Sequence, residues 1–240
     1  SEGVWGVRIG LFLTGLSTGL YLPSAIAAIT EFVPPRHWGK AIAVHEVAPN
    51  LAFVTAPLFA EAVLALASWQ GALRVLGLGA LLTGLIFARW GGSGATAGEA
   101  PNLRSIGALG RQPSYWLMIL LFGLGISGSL GLYTMLPLFM VSGHGLERDF
   151  ANTLLAVSRV PGVLAAFASG WLTDRFGPRR TILGVLALNG LLTMALGVVS
   201  ADGLTVLVFL QPALAVCFFP AGFAAISRIA PPGARNIAVS

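Results

Sequence analysis

The chain has 240 residues, 56% of them hydrophobic and 10% charged, with a mean hydropathy of +0.84. Soluble domains carry about 25% charged residues, so the composition excludes an ordinary water-soluble protein. The formal net charge of +5 does not imply a nucleic-acid partner, because the basic residues are divided among separate connections and form no single patch.

Apolar residues gather into seven runs, at 5–29, 41–68, 72–90, 114–141, 150–172, 181–200 and 203–229. Each can cross a bilayer as a helix, which takes roughly 20 residues. A barrel strand would instead alternate polar and apolar residues over about 10 positions. In hydrocarbon a continuous apolar run must satisfy its own backbone, and helix does so. Trp5, Trp38, Trp69, Trp90, Trp116 and Trp171 fall at or beside run ends, where an aromatic belt forms. The start at Ser1, already close to an apolar run and without a basic leader, reads as a truncation.

The first run carries Arg8 near one end, suited to snorkelling, Gly15 and Gly19 at a small-residue packing spacing, and Pro23. In the second, Glu46, Asn50, Pro57 and Glu61 share one side of a helix, with Phe53 between them and His45 beside Glu46. Such a stripe should face protein or a cavity. After the third run, residues 91–112 are rich in Gly, Ala and Ser and read as a flexible linker.

The fourth run contains the small-residue row Gly123, Ser127 and Gly131, then Tyr133, Thr134 and Pro137. In the fifth, Asn152 and Arg159 share a face that Gly162, Ala166 and Gly170 continue with small residues, suited to close helix packing. Pro137, and Pro161 with Gly162, should weaken their helices. The last run holds Gln211, Phe218 and Cys217; this single cysteine has no intrachain partner, so no disulfide framework is expected.

Ten of the fourteen basic residues (Arg36, Lys40, Arg89, Arg104, Arg111, Arg175, Arg179, Arg180, Arg228 and Arg235) lie in alternate connections. The positive-inside rule makes those connections cytoplasmic. The first and last runs, compared at an offset of 197, align Pro23 with Pro220, Pro34 with Pro231 and Pro35 with Pro232, besides Phe12 with Phe209 and Ala41 with Ala238. Prolines restrict the backbone at matched places, so the two runs read as a parallel repeat across a cytoplasmic linker. Transporters made of two similar halves are built that way.

After the fifth run comes Gly170-Trp171-Leu172-Thr173-Asp174-Arg175-Phe176-Gly177-Pro178-Arg179-Arg180, which resembles the signature loop of the major facilitator superfamily of transporters. The resemblance implies an all-α, polytopic membrane protein. The seven spans would match helices four to ten of a six-plus-six pseudo-twofold bundle, with the start of helix eleven at the end. Residues 1–90 would belong to the N-terminal bundle, 91–113 to the linker and 114–240 to the C-terminal bundle. Gly170, Asp174, Arg175, Gly177, Arg179 and Arg180 would form a conformational latch, Asp174 lying near residues 38–41. There a carboxylate could accept the unpaired amides of a helix N-terminus. One departure weakens a drug-exporter assignment: 50–57 reads Asn-Leu-Ala-Phe-Val-Thr-Ala-Pro, where antiporters of the family carry a glycine-rich stretch.

Intramembrane charge is costly and marks interior positions. Arg159 reads either as an anchor for an anionic substrate or as part of a structural pair joining the halves. Glu46, with His45 as helper, reads either as a proton-coupling carboxylate or as a structural network; Asn50 is the expected closer neighbour of Arg159. By resemblance, Tyr133, Thr134, Gln211 and Phe218 could line a central cavity or simply pack. The expected partners are a small solute, a coupling proton and lipid, in a monomer of the cell membrane, with the linker and residues 173–180 cytoplasmic. No metal or cofactor is expected. A secondary transporter, in the first instance for proton-coupled uptake of a small organic anion, is the resulting expectation, with drug efflux as the alternative. A seven-helix receptor fits less well, since Lys40 is the only lysine and stands at a boundary. An enzyme fits less well too, since His37, His45 and His144 form no metal-ligand spacing.

Overall fold

The computed structural model describes residues 4–64, 66–91, 103–230 and 238. In chain order the helices are α1 (Val4–Phe32), α2 (Trp38–Leu64), α3 (Trp69–Trp90), α4 (Leu103–Gly110), α5 (Pro113–Ile126), α6 (Leu132–His144), α7 (Arg148–Ser158), α8 (Val160–Phe176), α9 (Pro178–Leu196), α10 (Ala201–Val216) and α11 (Phe218–Ile229). A 3-10 turn, Pro35–His37, precedes α2, and a π turn, Ser127–Gly131, joins α5 to α6. No strand occurs among the described residues.

Several helices extend past the apolar runs because their starts are set by local chemistry rather than by hydropathy. Proline occupies the first helical turn of α5 and α9, where its missing N–H costs nothing and its fixed φ fits. Ser68 caps α3, its side chain accepting from the Gly71 N–H. Beyond α1, Val33 accepts a 2.8 Å hydrogen bond from the Trp38 indole, which folds the turn tightly into α2.

Six described helical stretches are long and apolar enough to cross a membrane: Val4–Phe32, Trp69–Trp90, Pro113–His144, Phe150–Phe176, Pro178–Leu196 and Gly203–Ile229. The chain is a multi-pass membrane protein. The second expected span differs. α2 is a continuous 27-residue helix, about 40 Å at 1.5 Å per residue, but it is not among the six. Lys40, His45, Glu46 and Asn50 lower its hydropathy, and Glu46 and Asn50 are buried by neighbouring helices.

That burial organises the bundle. α2 packs most closely on α8 and also contacts α11, α1 and α3. Three apolar clusters surround this centre. Ile26 of α1, Trp38 and Ile42 of α2 and Phe223 and Ala224 of α11 form one. Leu109, Met118, Ile182, Phe218 and Ile226 belong to the second, and Leu136, Met140, Leu155, Leu196, Leu204 and Val208 to the third. By contrast, α3 buries no residue and exposes its leucines.

The linker expectation meets a partial difference. Residues 92–102 lie outside the described residues, whereas α4 is helical and anchored: Leu109 is buried and the Trp116 indole donates to the Gly110 carbonyl at 2.8 Å. Also outside are Pro231, Pro232 and Arg235, and the side chains of Pro57, Glu61 and Arg104.

Candidate functional site

The approach of α2 to α8 rests on two glycines. A Cβ on Gly39 would stand 2.5 Å from the Gly170 carbonyl oxygen, and one on Gly170 would stand 2.6 Å from the Ala43 Cβ. Any larger residue would force the helices apart. At the same end, the two oxygens of Asp174 accept from the backbone N–H groups of Gly39 at 2.8 Å and Lys40 at 3.1 Å. Those amides open α2 and have no partner within their own helix, so the carboxylate satisfies them and meets the positive end of the helix dipole. The loop then turns at Gly177, whose φ of +84° suits glycine, and Pro178 starts α9. Arg175 lies over the rings of Trp171 and Phe176; Arg179 and Arg180 are exposed.

Further along the seam, Arg159 stands at the break between α7 and α8. Pro161, in the first turn of α8, has no N–H to continue the ladder. The Arg159 side chain is 1% exposed. Its guanidinium carbon sits 3.9 Å from the Tyr133 ring centroid and 4.8 Å from that of Phe53, so α6 and α2 each supply a ring. One Nη donates to the Ser129 carbonyl at 3.2 Å, and Nε has no hydrogen-bond partner among the described residues. Among the described residues no carboxylate lies within ion-pair distance of Arg159. From α2, Phe53 supplies the ring that meets the guanidinium. Asn50 donates to the Glu46 carbonyl at 2.6 Å and faces Gly162 of α8.

Nearer the start of α2, His45 Nδ1 is 3.3 Å from a Glu46 carboxylate oxygen, and His45 Nε2 is 3.2 Å from the Tyr21 hydroxyl of α1. The two His45 contacts make a three-member chain, Tyr21–His45–Glu46. Pro49, four residues after His45, cannot donate to its carbonyl.

Gln211 is 1% exposed, and its amide nitrogen donates to the Gly128 carbonyl at 2.8 Å and to Asn189 Oδ1 at 3.0 Å. The backbone break in this region is the π turn rather than Pro137, which sits inside regular α6. Phe218 packs against Phe122 and Gly125, and the Thr134 hydroxyl donates to the carbonyl of Gly131, the last residue of the π turn.

Sequence reading missed Phe53 as a ring partner, and also Tyr21, Asn189 and the Ser129 carbonyl. Asn189 did carry a signal, as a lone amide in an apolar run. The π turn carried none beyond its glycines and serines. Among the described residues, no group of three or more His, Cys, Asp or Glu side chains could hold a metal ion.

The arrangement is a buried guanidinium between two rings from α2 and α6, with no carboxylate within ion-pair distance among the described residues. A flat anion is the chemistry it could receive. Comparison with known proteins gives a family model, described as Major Facilitator Superfamily, that matches residues 2–240. Two curated relatives, each named "Probable nitrate/nitrite transporter NarK2" and from two strains of Mycobacterium tuberculosis, are 32% identical over 95 residues. The match takes in 40% of this chain and 24% of each relative's length. No solved structure matches the chain.

Proposed function

The chain belongs to the Major Facilitator Superfamily, and from that premise we propose that it is part of a secondary transporter that moves a small anion by alternating access. Arg159 is the proposed anchor, and nitrate or nitrite the first anions to try. The observation that carries this reading is the state of Arg159. A buried arginine costs about 2.5–3.5 kcal/mol even on lenient insertion scales, and this one has no carboxylate to offset it among the described residues. An incoming anion would supply the missing charge, and the unpartnered Nε would supply a donor. Guanidinium and nitrate are both planar, so Phe53 and Tyr133 suit a flat ligand. The relatives' name favours an inorganic oxyanion over the organic acid expected from sequence.

In this reading residues 1–90 and 114–240 form two halves that rock about the α2–α8 seam. Ile26 and Phe223, aligned by the 197-residue offset, pack in one cluster, as residues beside a twofold axis would. Asp174 acts as the latch that holds the seam's lower end shut. Arg179 and Arg180 oppose the dipole at the start of α9, which does not favour them there, but they suit an anionic cytoplasmic leaflet. That leaflet would be the inner face of the cell membrane.

A second reading concerns the driving force. The Tyr21–His45–Glu46 chain joins a buried carboxylate and a largely buried imidazole to an exposed phenol, and ionisable groups within an apolar bundle mark proton routes. We assign it the coupling proton. Drug efflux is the weaker alternative, since α2 carries this charged stripe in place of a glycine-rich stretch.

The test is uptake of labelled nitrate and nitrite by the full-length protein in proteoliposomes. Wild type should accumulate one or both, and Arg159→Gln should abolish uptake while folding normally. Undiminished uptake by Arg159→Gln would remove the anchor role.

A further inference from the structure

The Arg159 guanidinium is tied to the backbone by a hydrogen bond to a carbonyl that belongs to an irregular turn. Rings fix the plane of a cation but leave it free to rotate over their faces. Rotation is stopped by the Ser129 carbonyl, and the direction of that carbonyl depends on the π turn, Ser127–Gly131. A π turn pairs N–H groups five residues back instead of four, so its carbonyls are turned relative to the regular ladder and can take side-chain donors as well. The Ser129 carbonyl accepts from the Leu132 N–H and also from Arg159. Gly128, immediately before it, finds Gln211.

The orientation of Gln211 follows from this contact. A carbonyl acceptor at Gly128 obliges Gln211 to present its amide nitrogen. Asn189 must then present its oxygen to the same nitrogen, as the 3.0 Å contact has it. Gly128 makes room for this, since a Cβ there would stand 2.7 Å from Asn189 Nδ2. Asn189, Gln211, Ser129 and Arg159 are all at most 6% exposed, so water does not substitute for any link.

We propose that Gln211 and Asn189 are positioning residues for the anion site: they hold the π turn so that its Ser129 carbonyl aims the Arg159 guanidinium at the anion. The inference rests on the reading of Arg159 as anchor. Without Gln211 the Gly128 carbonyl loses its side-chain partner, and the glycine-rich turn relaxes toward regular helix. The Ser129 carbonyl then turns back along the helix axis. The guanidinium keeps its charge and its rings but not its direction, and the anion must order it on arrival.

The test measures nitrate uptake against concentration for the full-length protein in proteoliposomes. Gln211→Met preserves length and packing but removes the donor, and should raise KM about tenfold with the maximal rate changed less than about threefold. Asn189→Leu should act in the same direction. Asn189→Asp, which keeps an oxygen facing Gln211, should stay near wild type. The double variant Q211M/N189L should be no worse than the poorer single variant, since both break one chain. If Q211M does not fold, the contrast between N189L and N189D decides alone. Loss of uptake in R159Q with KM unchanged in Q211M and N189L would overturn the positioning role and leave the anchor standing. Uptake undiminished in R159Q, or no nitrate uptake by wild type, would overturn both.

Discussion

Replacing Asp174 by alanine removes the acceptor for both amides at the start of α2, at Gly39 and Lys40. Loss of an N-terminal cap costs about 0.5–2 kcal/mol, and a charge beside a partly buried helix start is worth up to ~2 kcal/mol. The Gly39 contact is part-buried and the Lys40 contact exposed, which puts the combined loss near 2 kcal/mol. That is a roughly 30-fold shift in the equilibrium between closed and parted seam, at about 1.4 kcal/mol per factor of ten. Asp174→Asn keeps one acceptor oxygen but loses the charge, for ~1 kcal/mol and a roughly fivefold shift. Ala43, fully buried against Gly170, offers the readout. A cysteine there, in full-length protein without other reactive thiols, reacts with maleimide only when α2 and α8 part. Labelling should accelerate about 30-fold in D174A and about fivefold in D174N. Equal rates in D174A and the parent would refute the latch.

Gly170→Val should part the same seam by steric force, at about 1–3 kcal/mol for overpacking, seen as faster labelling at position 43 and a lowered unfolding midpoint. Tyr133→Leu removes the nearer ring from Arg159; a desolvated cation–π contact is worth ~2 kcal/mol, so nitrate affinity should fall by roughly 30-fold in a binding assay. Glu46→Gln should abolish the extra uptake driven by an imposed pH gradient while leaving exchange without a gradient intact; an unchanged gradient response would remove the coupling role.

The helices could be read from sequence because hydrocarbon leaves an apolar run of this length one practical conformation. Their ends were read less well, because Pro113, Pro178 and Ser68 set starts through capping geometry that hydropathy does not register. α2 was legible as a polar stripe, and its Asn50, with Phe53, faces α8 and the break before it. Which of its residues meets Arg159 was not legible. Asn50 and Phe53 are less than one turn apart, and the choice depends on the crossing at Gly39 and Gly170, a tertiary fact. The π turn was illegible for a related reason: the side chains that bond its carbonyls at Ser129 and Gly128, Arg159 and Gln211, are 30 and 83 residues away. The signature loop singled out Asp174, while the amides it meets come from the far side of the chain.

The most direct measurement of the central claim is titration of nitrate into purified full-length protein by calorimetry, comparing wild type with Arg159→Lys and Arg159→Gln. A saturable heat should appear for wild type. It should weaken at least tenfold with lysine, which keeps the charge but loses the planar fork, and vanish with glutamine. The same dissociation constant in all three proteins would contradict Arg159 as the anion's anchor.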